Sequence, residues 1–173
     1  MILSQANKFV FIKGHKVAST SVEVYLSQFC CGEDIITPLT PIDEKGRLQK
    51  EWAAAQNYGL DKQANYTYLN NLRSCTPDEL ASIHVPRGRY YNHMPLSEIL
   101  KVYGDIPRDW TVFAVERCPY RKVISLANMM LKFKEYKKSG ADMLTSLDAL
   151  KEQINTMVAT GDVALVKNID MYK

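Results

Sequence analysis

Lys8-Phe9-Val10-Phe11-Ile12-Lys13-Gly14-His15-Lys16-Val17-Ala18-Ser19-Thr20-Ser21 is the stretch on which the fold turns. Its first six residues are short, aromatic and β-branched, and Gly14 stops them, the pattern of a buried strand. From Ser19 the apolar residues Val22, Tyr25, Leu26 and Phe29 fall at helical spacing, with Ser19 or Thr20 available as the N-cap. A strand, a tight loop and a helix are the expected opening unit.

Working outward, Trp110–Val115 is an apolar run bounded by Pro107 and Pro119, expected as a central strand buried on both faces. A long helix should start at Pro119, bury Val123, Ala127, Met130 and Leu131, and end in a Lys-rich turn before Gly140. Another, with Leu147, Leu150, Ile154 and Val158 on one face, should stop before Gly161. Thr76-Pro77-Asp78-Glu79 has capping-box spacing, so a short helix is expected from Pro77 towards His84, and a further one from near Pro95 to Gly104. Between 32 and 75, Pro38, Pro41 and Gly46 interrupt the pattern, and Leu48 to Gln56 offers one helix. Strands alternating with helices predict an α/β fold with a largely parallel sheet.

At 173 residues the chain is expected to be a single domain, 1–173. Hydrophobic residues at 46% and charged residues at 24% exclude a disordered or low-complexity chain. The net charge of +3 is too small for a nucleic-acid coat, so no nucleic-acid partner is expected and any anion site must be local. Residues 117–138 hold seven basic side chains against one acidic, which places the basic surplus in the second half. Cys30, Cys31, Cys75 and Cys118 show no Cys-x-x-Cys pair, which suits reduced thiols and argues against a structural zinc. Phe9–Ile12, the longest early apolar run, is far short of a signal core or a membrane span, so a cytoplasmic chain without a membrane partner is expected.

Two loops carry chemistry. Lys16 to Ser21 lies between strand and helix, where unpaired N–H groups and the positive end of the helix dipole converge. Small residues at 18 to 21, three hydroxyls and the Lys16 charge suit a phosphate, while a Ser/Thr-capped helix beside a surface lysine explains the same residues. Ala18-Ser19-Thr20 stands where a nucleotide triphosphatase loop needs Gly-Lys-Ser/Thr, which disfavours an ATP-dependent kinase. The second loop is Arg117-Cys118-Pro119-Tyr120-Arg121-Lys122-Val123-Ile124-Ser125, with Arg117 at the carboxyl end of a strand, where open α/β sheets bind ligands. Ser125 shares a helix face with Arg121, and a guanidinium with a hydroxyl would suit a second phosphate; an Arg117 paired with Glu116 or with an acidic loop explains the same residues.

Together the loops resemble those of the sulfotransferase family that uses 3′-phosphoadenosine 5′-phosphosulfate (PAPS), especially its carbohydrate-type branch. K-x-x-x-T-S after an early strand, carried by Lys16, Thr20 and Ser21, is similar to the family's 5′-phosphosulfate loop. R-x-P-x-x-R-x-x-S after a later strand, carried by Arg117 and Ser125, is similar to its 3′-phosphate motif. The stretch from His93 through Ser97-Glu98-Ile99 is similar to a His-containing helix of bacterial relatives. The resemblance covers roughly residues 8–131. Family loops often carry glycines where Val17, Ala18 and Ser19 stand, and relatives continue beyond the position of Lys173, so the C-terminal part of the usual domain is expected to be missing.

The resemblance implies a P-loop-like, three-layer α/β fold with a mostly parallel central sheet flanked by helices. It also implies sulfuryl transfer from PAPS to a hydroxyl or amine, with a small-molecule or glycan acceptor and no metal. Lys16 would be catalytic, and Lys16, Val17, Ala18, Ser19, Thr20, Ser21, Arg117 and Ser125 would bind the cofactor. In this family a His or Glu takes the acceptor's proton; His93 is the first choice, His84 the reserve, and His15 a binding or orienting residue. Lys132, Lys134, Lys137 and Lys138 form either an acidic-glycan platform or a solvated helix end. Tyr58, Tyr66, Tyr68, Tyr90 and Tyr91 either line an acceptor cleft or pack the core. A small-molecule kinase and a nucleotide-binding remnant without turnover are the rival readings.

Overall fold

A computed structural model describes residues 1–139 and 146–173, with side chains described up to Lys134 and again from Ser146. The expected end of the long helix at Gly140 and the side chains of Lys137 and Lys138 lie outside the described residues. By its internal contacts the chain divides into two compact units. Unit 1 comprises Met1–Gly14, Ala18–Val115 and Asp170–Lys173, and unit 2 comprises His15–Val17 and Glu116–Ile169.

Unit 1 is built on a four-stranded sheet ordered β3-β1-β2-β4 among the described residues. Its strands are β1 (Ile2–Ser4), β2 (Phe9–Ile12), β3 (Ile35–Ile36) and β4 (Thr111–Ala114). β2 is the expected strand, but the sheet is mixed: β1 pairs antiparallel with both β2 and β3, and only β2 with β4 is parallel. The expectation of a mostly parallel sheet is corrected here. The reason is β1, three residues long and fully buried, which returns into β2 through a tight turn with Lys8 at φ 53°. Antiparallel neighbours need only such a turn, whereas the parallel pairing of β2 with β4 needs a long crossover.

β4 lies at the sheet edge, with Val112 40% exposed, and is not the doubly buried central strand expected from its apolar run. α1 (Ser19–Leu26) follows β2 as expected, but its N-cap is Ala18, which provides no side-chain cap, and neither Ser19 nor Thr20 takes that position. Tyr25 and Phe29, expected on the buried stripe, are exposed and stack edge to face at 5.7 Å. α2 spans Pro41–Leu48, capped by Thr40, so the helix expected at 48–56 falls one segment earlier. Pro41 opens this helix at its first position, where a missing N–H costs nothing. α3 (Lys62–Ser74) starts at its Asp61 cap, and α4 (Pro77–Leu80) carries the full Thr76–Glu79 capping box but ends well short of His84. α5 (Leu96–Tyr103) runs from Pro95 to Gly104, as its spacing predicts.

Unit 2 holds α6 (Pro119–Ser139) and α7 (Leu147–Thr160), which pack around Leu126, Ala127, Met157 and Val166. α7 stops at Gly161 in the left-handed region as expected, yet Leu147 and Val158 are exposed while Gln153 and Met157 are buried. The helix is therefore rotated relative to the stripe read from its leucines. No helix among the described residues is long and apolar enough to cross a membrane.

Candidate functional site

In unit 1, the end of β2 is tied to α1 through a buried ion pair. Lys13, 1% exposed, places its ammonium 3.1 Å from Oε2 of Glu23, a fully buried carboxylate on α1. Glu23 also accepts from the Met1 ammonium at 3.1 Å, and Thr37 Oγ1 accepts from the same ammonium at 2.5 Å. Burial raises the Glu23 carboxyl, but the Met1 ammonium, Lys13 and Arg47 outweigh it and bring the pKa down to about 2. Burial also lowers the Met1 amine to about 6, against the attraction of Glu23. Leaving any one of these charges without its partners would cost several kcal/mol, on the order of 3–5.

The loop between them is strained. Ala18 lies at φ 60° and Lys16 at φ 58°, left-handed values that glycine adopts freely and other residues do not. The Ser19 hydroxyl, 4% exposed, donates to the Gly14 carbonyl at 2.6 Å and so braces the loop across its base. Thr20 is half-buried and Ser21 exposed, and both line an open cleft of about 420 Å³ with Tyr25, Asp43, Lys50 and Trp52. Of the loop's three hydroxyls, only that of Ser19 is committed to the loop's own backbone.

His93, before α5, has φ 59°, and its Nδ1 lies 3.0 Å from the carbonyl oxygen of Lys13. A carbonyl can only accept, so Nδ1 carries the proton and the lone pair of the neutral imidazole lies on Nε2. His84 is exposed. Tyr58, Tyr68 and Tyr90 are buried, Tyr91 is half-buried and Tyr66 exposed, so three of the five tyrosines belong to the core. Tyr58 donates to Asn65 at 2.7 Å, and burial pushes its phenol up to about 12.

In unit 2, Lys16 is half-buried with Nζ 3.4 Å from Met129 Sδ, and Val17 is buried. Burial first, and the positive charge of Arg117 second, hold the Lys16 ammonium below its usual pKa. Arg117 is exposed, and among the described residues its guanidinium forms no ion pair. Glu116 pairs with Lys122 at 2.9 Å and accepts the Arg117 backbone N–H at 2.7 Å. Ser125 is half-buried on α6. Lys134 reaches Gln153 of α7 at 2.7 Å, so this lysine joins two helices.

Asn168, buried and unforeseen, accepts the His15 N–H at 2.8 Å and donates to the His15 carbonyl at 3.1 Å, fixing the backbone next to Lys16. Lys13, Glu23 and Lys122 were also missed. A lysine closing an apolar strand and a glutamate on an apolar helix were visible, but not that they meet. No protein-family model, no curated protein and no solved structure matches the chain. What the residues define by themselves is an α/β protein with a strained strand-to-helix loop.

Proposed function

We propose that the chain binds PAPS and transfers its sulfuryl group to a hydroxyl or amine acceptor. The observation that carries this reading is the strand-to-helix turn, where Lys16 and Ala18 at left-handed φ lead into an α1 that starts without a side-chain cap. Val17, Ala18, Ser19, Thr20 and Ser21 complete a loop for the 5′-phosphosulfate, and α1 begins without a side-chain cap, leaving its first-turn N–H groups to an anion. Arg117, with Ser125, takes the 3′-phosphate. A P-loop-like, three-layer arrangement belongs to the same proposal, supported by the β2–loop–α1 unit and the parallel pairing of β4 with β2. So does a cytoplasmic location, which the four free cysteines suit.

In this mechanism the acceptor oxygen attacks sulfur in line with the bridging oxygen. The new S–O bond forms as the bridging S–O bond breaks, and the electron pair leaves on the 5′-phosphate, where Lys16 offsets the growing charge. His93, the first choice among the histidines, takes the acceptor's proton. The logic is that of phosphoryl transfer, in which positioning and charge carry the catalysis.

The test is sulfate transfer from labelled PAPS to a panel of hydroxyl and amine acceptors across a pH series. Activity should rise with pH through the near-neutral range. His93→Ala should lose about a hundred- to ten-thousandfold in rate and keep cofactor binding, whereas His84→Ala should retain both rate and profile. Binding of the desulfated nucleotide with no transfer to any acceptor would favour the remnant reading, and an exchange of the two histidines' effects would move the base to His84.

A further inference from the structure

Asn168 lies between two short 3-10 turns, Asp162–Val166 and Ile169–Met171, and is 2% exposed. Its carboxamide grips the backbone of one residue on both sides: Oδ1 accepts the His15 N–H at 2.8 Å, and Nδ2 donates to the His15 carbonyl at 3.1 Å. An Asn amide carries two donor hydrogens, so the second remains for another acceptor. Oε2 of Glu116 stands 3.5 Å from the same nitrogen. Glu116 is in turn fastened to the second loop. Its Oε1 accepts the Arg117 N–H at 2.7 Å and lies 2.9 Å from the ammonium of Lys122, which is 6% exposed in the first turn of α6.

The contacts therefore run from His15, the residue before Lys16, through the Asn168 amide and the Glu116 carboxylate to the N–H of Arg117. All of these residues belong to unit 2. Lys16 has φ 58°, and such a value persists in a residue with a Cβ only where the surrounding contacts over-determine it. A grip on both polar groups of His15 supplies such contacts directly before the strained residue. At the other end, the charge-assisted pairing with a nearly buried Lys122 keeps the half-exposed Glu116 carboxylate from swinging into solvent. Only an Asn fits at position 168 in these roles: an Asp has no hydrogen to donate, and the stem of a Gln is one carbon too long.

We infer that Asn168 is a positioning residue that ties the backbone at Lys16 to the backbone at Arg117, and so sets the separation at which the two meet a ligand with two anionic groups. That the ligand is a bisphosphorylated nucleotide rests on the sulfuryl-transfer reading; the tie itself rests on the contacts of Asn168 and Glu116. Two groups on one ligand reinforce each other only when their sites stand at the ligand's own spacing. Cutting the tie leaves each cation able to meet a single phosphate and removes the gain from meeting both.

The test is isothermal titration of the wild type, Asn168→Ala, Glu116→Ala and Ile154→Val with 3′-phosphoadenosine 5′-phosphate, adenosine 5′-phosphate and adenosine 3′-phosphate, with amide hydrogen exchange followed on the same proteins. Asn168→Ala and Glu116→Ala should each weaken the bisphosphate about tenfold or more, and should not weaken either monophosphate by more than about twofold. Asn168→Ala should also speed exchange at the Arg117 N–H, which Asn168 reaches only through Glu116. Ile154→Val, a packing change on α7 outside these contacts, should lower stability and leave both the affinity ratio and the Arg117 exchange as in the wild type. Equal losses for all three nucleotides in Asn168→Ala would be those of a merely structural residue and overturn the inference, as would unchanged exchange at Arg117. If the wild type binds none of the nucleotides while Asn168→Ala still speeds that exchange, the tie stands and the sulfuryl-transfer reading falls.

Discussion

Ala18, at φ 60°, occupies the N-cap of α1 in a conformation that costs a residue with a Cβ roughly 1–2 kcal/mol. Ala18→Gly should therefore raise stability by up to about 1 kcal/mol after the added freedom of the unfolded chain is subtracted, read from chemical denaturation. A loss of stability would mean that the loop does not hold this geometry. Lys16, also left-handed and depressed in pKa by burial and then by Arg117, should matter most when charge builds on the leaving oxygen. Lys16→Ala should lower turnover about a hundredfold, on the order of 3 kcal/mol in the barrier, with little change in cofactor affinity. An unchanged rate would take Lys16 out of the mechanism. For Lys16, Ser19 and Arg117 the sequence shows a place, the turn after β2 and the end of β4, because strand and helix punctuation mark those positions; the roles given to them and to His93 come from the resemblance. Asn168 was not legible, since its partner His15 lies 153 positions away and no local pattern marks it.

Among the elements, α1 is tied down by a charge that its apolar spacing hides. Glu23 has a folded pKa of about 2 against an ordinary value of 4.5, so its stabilisation is complete above about pH 4.5 and is lost as pH falls from there towards 2. Wild-type protein should unfold across that acid window. Glu23→Gln should be less stable at neutral pH and should lose that part of the pH dependence; a variant whose stability falls with acid just as steeply would show that other carboxylates govern the transition. β2, α5, α6 and the α4 capping box were readable because each has its own period and punctuation. β1 has three residues, too few for any period, and α2 was concealed because Pro41 and Gly46 read as breakers although one opens the helix and the other lies within it. β4 reads as buried from its apolar run, but strand order, which a local run does not encode, puts it at the sheet edge.

For the whole molecule, the α/β class was legible from alternating strands and helices, while the direction of the strands was not: that depended on a hairpin at the start of the chain, β1 into β2. The two recognisable loops each contribute a cation, Lys16 and Arg117, and the account depends on these cations serving one bisphosphorylated nucleotide. Isothermal titration of the wild-type chain and of Arg117→Ala with 3′-phosphoadenosine 5′-phosphate, adenosine 5′-phosphosulfate and ATP measures this directly. The account predicts that the wild type prefers the ligand with the 3′-phosphate over both others. It predicts that Arg117→Ala weakens that ligand by about ten- to a hundredfold, from a charge-assisted contact of roughly 1.5–3 kcal/mol, and leaves adenosine 5′-phosphosulfate nearly unaffected. Equal losses for ligands with and without the 3′-phosphate, or tighter binding of ATP, would contradict it.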